Sequence, residues 1–279
     1  MLVNEQPTQT LTEISTENLM DNCVPFIESD AQADSEILRQ EMNENGYLFF
    51  RALVPEEKVL RVRRDVFELC RKAGWLDASR DLMDGIAAPG ISPLMEGMPD
   101  YMAVYRHILK LPSFHAFPAH SSLMDVAQKL LNSEVLVHPR RIGRVTFPNL
   151  LSATTTPHQD HFYIRGAVET YSCWTPLGEC PRELGGLAVL PESQREGFLE
   201  HTVKSPGVGG NGVPIEESET TWHTGDFGIG DALFFHSYTI HKALPNLTSD
   251  RLRLSTDNRY QRPKDDIDPS ALLPHFDGN

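Results

Sequence analysis

From Glu134 onward the chain stops reading as helix. Short runs rich in Val, Ile, Phe, Thr and Tyr alternate with turns of Gly, Pro and Asn. They are Val135 to His138, Gly143 to Phe147, Thr170 to Trp174, Gly186 to Leu190, Ala232 to Phe235 and Arg251 to Arg259. β-Branched and aromatic side chains suit a pleated, half-buried surface, and several such strands at short spacing predict an antiparallel sandwich or barrel.

The preceding segment has helical periodicity instead. Asp34 can cap a helix whose face holds Ile37, Leu38 and Met42 and which ends at Asn45-Gly46. Tyr47 to Phe50 reads as a strand. Pro55 then opens a second helix, lined by Val59, Val62, Val66 and Leu69 and ending near Gly74. Residues 76 to 120 read as loop with a helical piece from Tyr101 to Leu109. Ser122 starts a further helix, with Asp125 in capping-box position. The expectation is an α+β fold: residues 1–30 a flexible polar arm, and residues 31–279 a single domain of helices packed on a β core.

Charge narrows the partners. The 279 residues carry 39 acidic against 25 basic side chains, a formal net charge of -14. A field of that sign repels phosphate backbones and anionic lipid, so neither nucleic acid nor membrane is expected as a partner. No signal peptide and no apolar stretch of membrane-spanning length is visible. Cys23, Cys70, Cys173 and Cys180 lack close Cys-x-x-Cys pairing, and a reduced, cytoplasmic chain is the simplest reading.

The chemistry concentrates in two stretches. Thr156-Pro157-His158-Gln159-Asp160 contains a His-x-Asp pair, and in an extended segment residues two apart share a face. Such a pair occurs by chance in many chains. Later comes Gly230-Asp231-Ala232-Leu233-Phe234-Phe235-His236-Ser237-Tyr238-Thr239-Ile240-His241, a turn leading into an apolar strand that ends at histidine. Asn246 and Arg251-Leu252-Arg253-Leu254-Ser255 follow. Two histidines and a carboxylate on one octahedral face bind iron(II) and leave sites open for a bidentate cosubstrate and dioxygen. A guanidinium beside a hydroxyl suits the distal carboxylate of a dicarboxylate such as 2-oxoglutarate.

With these residues the chain resembles the phytanoyl-CoA dioxygenase family of iron(II)/2-oxoglutarate-dependent oxygenases. The resemblance runs from about Arg140 to Pro263. It also rests on Tyr171 to Gly178, on Cys180 to Leu187 and on Leu190-Pro191-Glu192-Ser193. Glu192 and Gln194 stand where the family's Pro-Gly-Ser-His element has Gly and His, so no role attaches to that loop. The resemblance implies a double-stranded β-helix, or jelly roll, with the metal inside its open end. It implies His158, Asp160 and His241 as iron ligands and Arg253, assisted by Ser255, as the 2-oxoglutarate anchor. It also implies oxidation of 2-oxoglutarate by O2 to succinate and CO2, coupled to oxidation of a small-molecule substrate. Halogenating relatives have a small residue in place of Asp160, so its presence implies oxygenation.

Other residues compete. His236 rivals His241, and the family's spacing to Asn246 and Arg-x-Ser favours His241. Arg251 rivals Arg253, and Ser255 favours Arg253. His161 adjoins the His-x-Asp pair but would point to the opposite face of a strand. Arg144, Tyr163 and Trp174 are candidate substrate contacts. For Arg144, as for Arg140 and Arg141, a solvated strand end is an equal reading, and for Trp174 core packing is favoured. The Gly- and Glu-rich residues 201–222 would form either a lid or plain disorder. The function expected is oxidation of a metabolite or natural product by hydroxylation, demethylation or desaturation. The alternative is a non-catalytic metal- or sugar-binding jelly-roll module, which would have no use for the Arg-x-Ser pair.

Overall fold

A computed structural model describes residues 22–150, 154–205, 210–216 and 220–276. Helices α1 (Ser35–Asn45), α2 (Glu56–Lys72), α3 (Pro99–Ile108), α4 (Pro112–Ala116) and α5 (Ser121–Leu131) precede most of the strands, and a one-turn α6 (His161–Ile164) lies among them. The strands are β1 (Cys23–Val24), β2 (Tyr47–Phe50), β3 (Leu136–Val137), β4 (Ile142–Thr146), β5 (Tyr171–Pro176) and β6 (Leu187–Val189). They continue with β7 (Val203–Lys204), β8 (Asn211–Gly212), β9 (Trp222–His223), β10 (Ala232–His236), β11 (His241–Ala243) and β12 (Arg253–Gln261).

A large sheet runs β2-β10-β5-β12-β3, with β4 also paired to β12; a small sheet runs β1-β9-β6-β11; and β7 and β8 form a separate hairpin. Among the described strands only β1–β9 pairs in parallel, and an isolated parallel bridge joins Glu28 to Phe49.

Alternation along the large sheet sorts two cores. Leu48, Phe50, Cys173, Phe234, Leu254 and Tyr260 face outward into one cluster with Leu38, Val59, Val62, Val66, Tyr105 and Leu130 of the helices. The intervening residues Tyr47, Phe49, Trp174, Leu233 and Phe235 face the other way and meet Leu187, Val189 and Ala243 of the small sheet. The two sheets therefore face each other, with the helices backing the large one. On β12 the alternation separates chemistry from packing. Leu254 and Tyr260 join the helical core, while the inward row is Arg253, Ser255, Asp257, Arg259 and Gln261, all polar and all buried. A buried row of that kind costs stability unless each group finds a partner or a ligand.

Local expectations hold with several exceptions: Asp34 stands at the N-cap of α1 but its side chain makes no cap hydrogen bond, and the stretch read as loop over 76–120 also holds α4. Leu38 and Met42 are buried, but Ile37 is 48% exposed and lies off the packed face. Helix α5 is capped by the His120 ring, which accepts from Ser122 N, rather than by Ser122 itself. The strand expected to end at His241 ends at His236. The chain turns a corner over residues 237–240, and His241 opens β11 in the opposite sheet. Of the arm expected over 1–30, residues 1–21 lie outside the described residues. Past them, β1 pairs with β9, and Ser29 N donates to Phe49 O at 2.8 Å. Of the loop expected over 201–222, residues 206–209 and 217–219 lie outside the described residues. Among the described residues, no helix is long and apolar enough to cross a membrane. The four cysteines are free, in keeping with their spacing.

Candidate active site

His158 and His241 meet through a pair of backbone hydrogen bonds, each N–H donating to the other's carbonyl at 3.0 Å. This bridge adds the 156–160 segment to the edge of the small sheet beside β11 and sets the two rings 4.2 Å apart, centroid to centroid. The chain then leaves extended geometry. Asp160 has helical φ/ψ and heads α6, so His161 belongs to a helix and its ring turns towards Phe198 and Tyr238. The convergence of His158 and Asp160 thus arises from a strand-to-helix transition, not from the two-residue strand repeat. His158, Asp160 and His241 are the one group of three His, Cys, Asp or Glu side chains among the described residues whose ligand atoms could hold a metal ion, all lying within 4.8 Å of one another.

Each ligand atom is oriented by a neighbour. His158 Nδ1 lies 2.8 Å from Thr156 O and His241 Nδ1 lies 3.0 Å from Thr239 O. A carbonyl only accepts, so both Nδ1 atoms carry the proton and both Nε2 lone pairs are free for a metal. Burial, and then the proximity of His241, depress the His158 pKa to about 3; burial lowers that of His241 as well. Both rings are therefore neutral, as metal ligation requires.

Asp160 reaches across to the large sheet, where it sits over the cross-strand pair Ser172 and Arg259. Ser172 Oγ donates to its Oδ2. Arg259 Nη2 lies 3.0 Å from Oδ2 and 3.3 Å from Oδ1, with Nε 3.3 Å from Oδ2. Burial alone would raise this carboxyl's pKa. Arg259 chiefly, with the two histidines and Ser172, outweighs burial and holds it well below the usual range. Oδ2 is thus the more heavily engaged oxygen, and Oδ1 faces His241 Nε2 at 3.8 Å. A mixed set of two neutral imidazoles and one carboxylate with free coordination sites fits iron(II).

Further along the inward row of β12, Arg253 is 2% exposed. Its Nη1 donates to Gly185 O, and its Nη2 to Thr146 Oγ1 at 2.9 Å. Its Nε and the neighbouring Ser255 Oγ are buried with no hydrogen-bond partner, and Arg253 forms no ion pair among the described residues. An interior guanidinium without a paired anion is costly. Gly185 makes the contact possible. Its φ is +76°, and a Cβ there would collide with the carbonyl oxygens of Leu244 and Pro245.

Arg251, weighed as the alternative anchor, precedes the strand and points away. It pairs with Glu183 at 2.9 Å, with 38% of its side chain exposed. His236 is also elsewhere, its Nδ1 accepting from Tyr238 N at 3.1 Å. Trp174 is 1% exposed and packs on Phe227 between the sheets, so it is a core residue rather than a cavity wall. Arg144 is no solvated strand end: it is held by Glu96 at 2.8 Å and Asp257 at 3.2 Å, and it lines the cavity beside the triad. Tyr163 lines the same cavity, its hydroxyl donating to Asn211 O.

Three residues near the site escaped the sequence reading. Arg259 and Ser172 lie at the strand spacing of Arg253 and Trp174, so parity alone would have found their face. Gln159 carried no signal. Its fully buried side chain donates to Gly197 O and Tyr238 O and accepts from Leu199 N, tying the ligand segment to two loops.

A family model described as phytanoyl-CoA dioxygenase matches residues 42–254. The chain belongs to the phytanoyl-CoA dioxygenase family. It is accordingly an iron(II)- and 2-oxoglutarate-dependent oxidoreductase. Two family relatives are 1-deoxypentalenic acid 11-beta-hydroxylases. That of Streptomyces exfoliatus is 27% identical, the match covering 93% of this chain and 91% of the relative. That of Streptomyces arenae is 25% identical over 91% and 88%. Among solved structures, the fold resembles the epimerase SnoN in complex with Fe3+, alpha ketoglutarate and nogalamycin RO, with a TM-score of 0.61, 19% identity and coverage of 84% and 86%. It also resembles the carbocyclase SnoK from nogalamycin biosynthesis, with a TM-score of 0.59, 19% identity and coverage of 88% and 90%.

Proposed function

We propose that His158, Asp160 and His241 hold iron(II), that Arg253 and Ser255 receive the far carboxylate of 2-oxoglutarate, and that the chain hydroxylates a natural product. The observation that carries this reading is the convergence of the three side chains with both Nε2 atoms free. Iron with 2-oxoglutarate and O2 supplies oxidation of an unactivated C–H bond, releasing succinate and CO2. The chain's own residues do the rest. Thr156 and Thr239 carbonyls fix the imidazole tautomers, Arg259 and Ser172 engage one carboxylate oxygen, and the buried guanidinium of Arg253 fixes the orientation of the cosubstrate. Hydroxylation is favoured over other oxidative outcomes because the two Streptomyces relatives are hydroxylases.

We further infer that the two facing sheets are the walls of a double-stranded β-helix, with the triad at its open end and residues 31–279 as one domain. Support comes from the ligand set itself, since His158 and His241 hang from the small sheet while the partners of Asp160 belong to the large one. Four free cysteines suit a reducing cytoplasm. The rival reading, a metal- or sugar-binding module, leaves the unpaired interior charge of Arg253 unexplained. The test is succinate release from 2-oxoglutarate in air. Iron-dependent release that Asp160→Ala abolishes supports the oxygenase; iron bound stoichiometrically with no release favours the module.

A further inference from the structure

A cavity of about 600 Å³ opens beside His158 and Asp160. Part of its wall is apolar, with Ile142, Phe162, Ile164 and Phe276, and part is cationic. The hydrogen bonds of its guanidiniums are not all met. Arg144 is committed to Glu96 and Asp257. Arg259 commits Nε and Nη2 to Asp160, but its Nη1 is buried with no hydrogen-bond partner. Arg140, also in the wall, has buried Nε and Nη2 atoms without a partner and forms no ion pair among the described residues. The other wall carboxylate, Asp268, accepts from Ser270 N at 2.9 Å as a turn cap. His275, also in the wall, is kept neutral by burial first and then by Arg144, Arg259 and Arg140.

Buried guanidinium N–H groups are expensive to leave unmet, and their planar geometry matches a carboxylate. We infer that this cavity binds a substrate carrying a carboxylate, held between Arg140 and the free Nη1 of Arg259, with its hydrocarbon body against the apolar wall. The inference rests on the oxygenase reading for its location next to the metal, and adds the chemical class of the substrate and the group that orients it. The anion here is separate from 2-oxoglutarate, whose far carboxylate belongs at Arg253.

The test uses the full chain loaded anaerobically with iron(II) and 2-oxoglutarate. Calorimetry compares adamantane-1-carboxylate with adamantane-1-carboxamide, two probes of one shape that differ in charge. The carboxylate binds at least tenfold more tightly if the inference is right, because a charge-assisted pair is worth that factor or more. Arg140→Met then removes most of the preference, with an unchanged thermal unfolding midpoint showing that the variant is folded; Arg140→Lys restores part of it. Equal affinity for the two probes, or no binding of the carboxylate, overturns the inference. So does loss of the iron–2-oxoglutarate absorbance on adding the carboxylate, which would mean that it occupies the cosubstrate site. If that absorbance never forms but the carboxylate preference is intact, the oxygenase reading fails and the anion site stands.

Discussion

Replacing Arg253 by Met separates stability from function. Arg253 is almost wholly buried, donates to Gly185 O and Thr146 Oγ1, and carries a charge with no counter-ion among the described residues. The substitution removes hydrogen bonds to three acceptors, Gly185 O, Leu244 O and Thr146 Oγ1, at about 1–3 kcal/mol for each left unmet. It also removes an uncompensated interior charge, a relief of several kcal/mol. The two terms are of similar size, so stability without ligand changes little. Binding behaves differently, because truncating one partner of a buried, hydrogen-bonded charge pair costs roughly 2–5 kcal/mol. That weakens 2-oxoglutarate by about 30-fold or more, a hundredfold corresponding to about 2.7 kcal/mol. At a concentration of about 100 times the wild-type Kd, 2-oxoglutarate stabilises the native enzyme by about 2.7 kcal/mol. At the same concentration a hundredfold weaker variant gains about 0.4 kcal/mol. The lost stabilisation corresponds to a Tm difference of roughly 5–9 °C for a chain of this size. The assay is thermal unfolding under nitrogen with iron(II), with and without 2-oxoglutarate. An Arg253→Met protein that keeps the full ligand-induced rise in Tm would refute the assignment of the anchor and the charge argument behind it.

Arg259→Ala, which strips the ion pair from Asp160, is expected to weaken iron(II) binding about 10–100-fold, with Arg259→Lys in between; competition with a chromogenic chelator measures it. Trp174→Ala should cost on the order of 3–5 kcal/mol, a Tm drop of roughly 6–20 °C, since the indole fills the core between the sheets. A folded, stable variant with altered substrate choice would instead restore Trp174 as a cavity residue. Burial pushes the pKa values of His138 and His236 down to about 4. The unfolded chain therefore takes up protons below about pH 6.5 that the folded chain refuses until about pH 4. Stability accordingly falls as pH drops through that window, by on the order of 3 kcal/mol at His138 and less at the partly exposed His236. Urea midpoints at pH 7, 5.5 and 4.5 should decline in step, and His138→Gln should flatten the slope; a midpoint independent of pH would contradict the assignment.

How far the site was legible in the sequence depends on whether each residue is governed by local periodicity or by tertiary geometry. Residue types and spacing marked His158, Asp160, His241 and Arg253, because metal ligation and carboxylate binding demand particular side chains. Their convergence was not legible in detail. Asp160 reaches the histidines from the start of a helix, and His241 lies in a different sheet from the strand that leads to it. Neither corner leaves a periodic trace. Arg251 and Arg253 share strand parity in the sequence, and only the start of β12 at Arg253 separates an exposed ion pair from a buried guanidinium. Arg259 obeyed the same parity and was missed because nothing in the sequence says that Asp160 needs a cation. Packing faces were read well where three or four apolar residues agreed, as on α2, and less well on the short α1, where Ile37 is exposed.

The central claim is that one iron ion held by His158, Asp160 and His241 is chelated by 2-oxoglutarate fixed at Arg253. Its most direct test is an anaerobic titration of the iron(II)-loaded protein with 2-oxoglutarate, following the visible charge-transfer absorbance of the chelate. The account predicts a saturable band with one equivalent of iron, absent in His241→Ala and shifted to far higher 2-oxoglutarate concentrations in Arg253→Met. Stoichiometric iron without a band, or an undiminished band in His241→Ala, would contradict it.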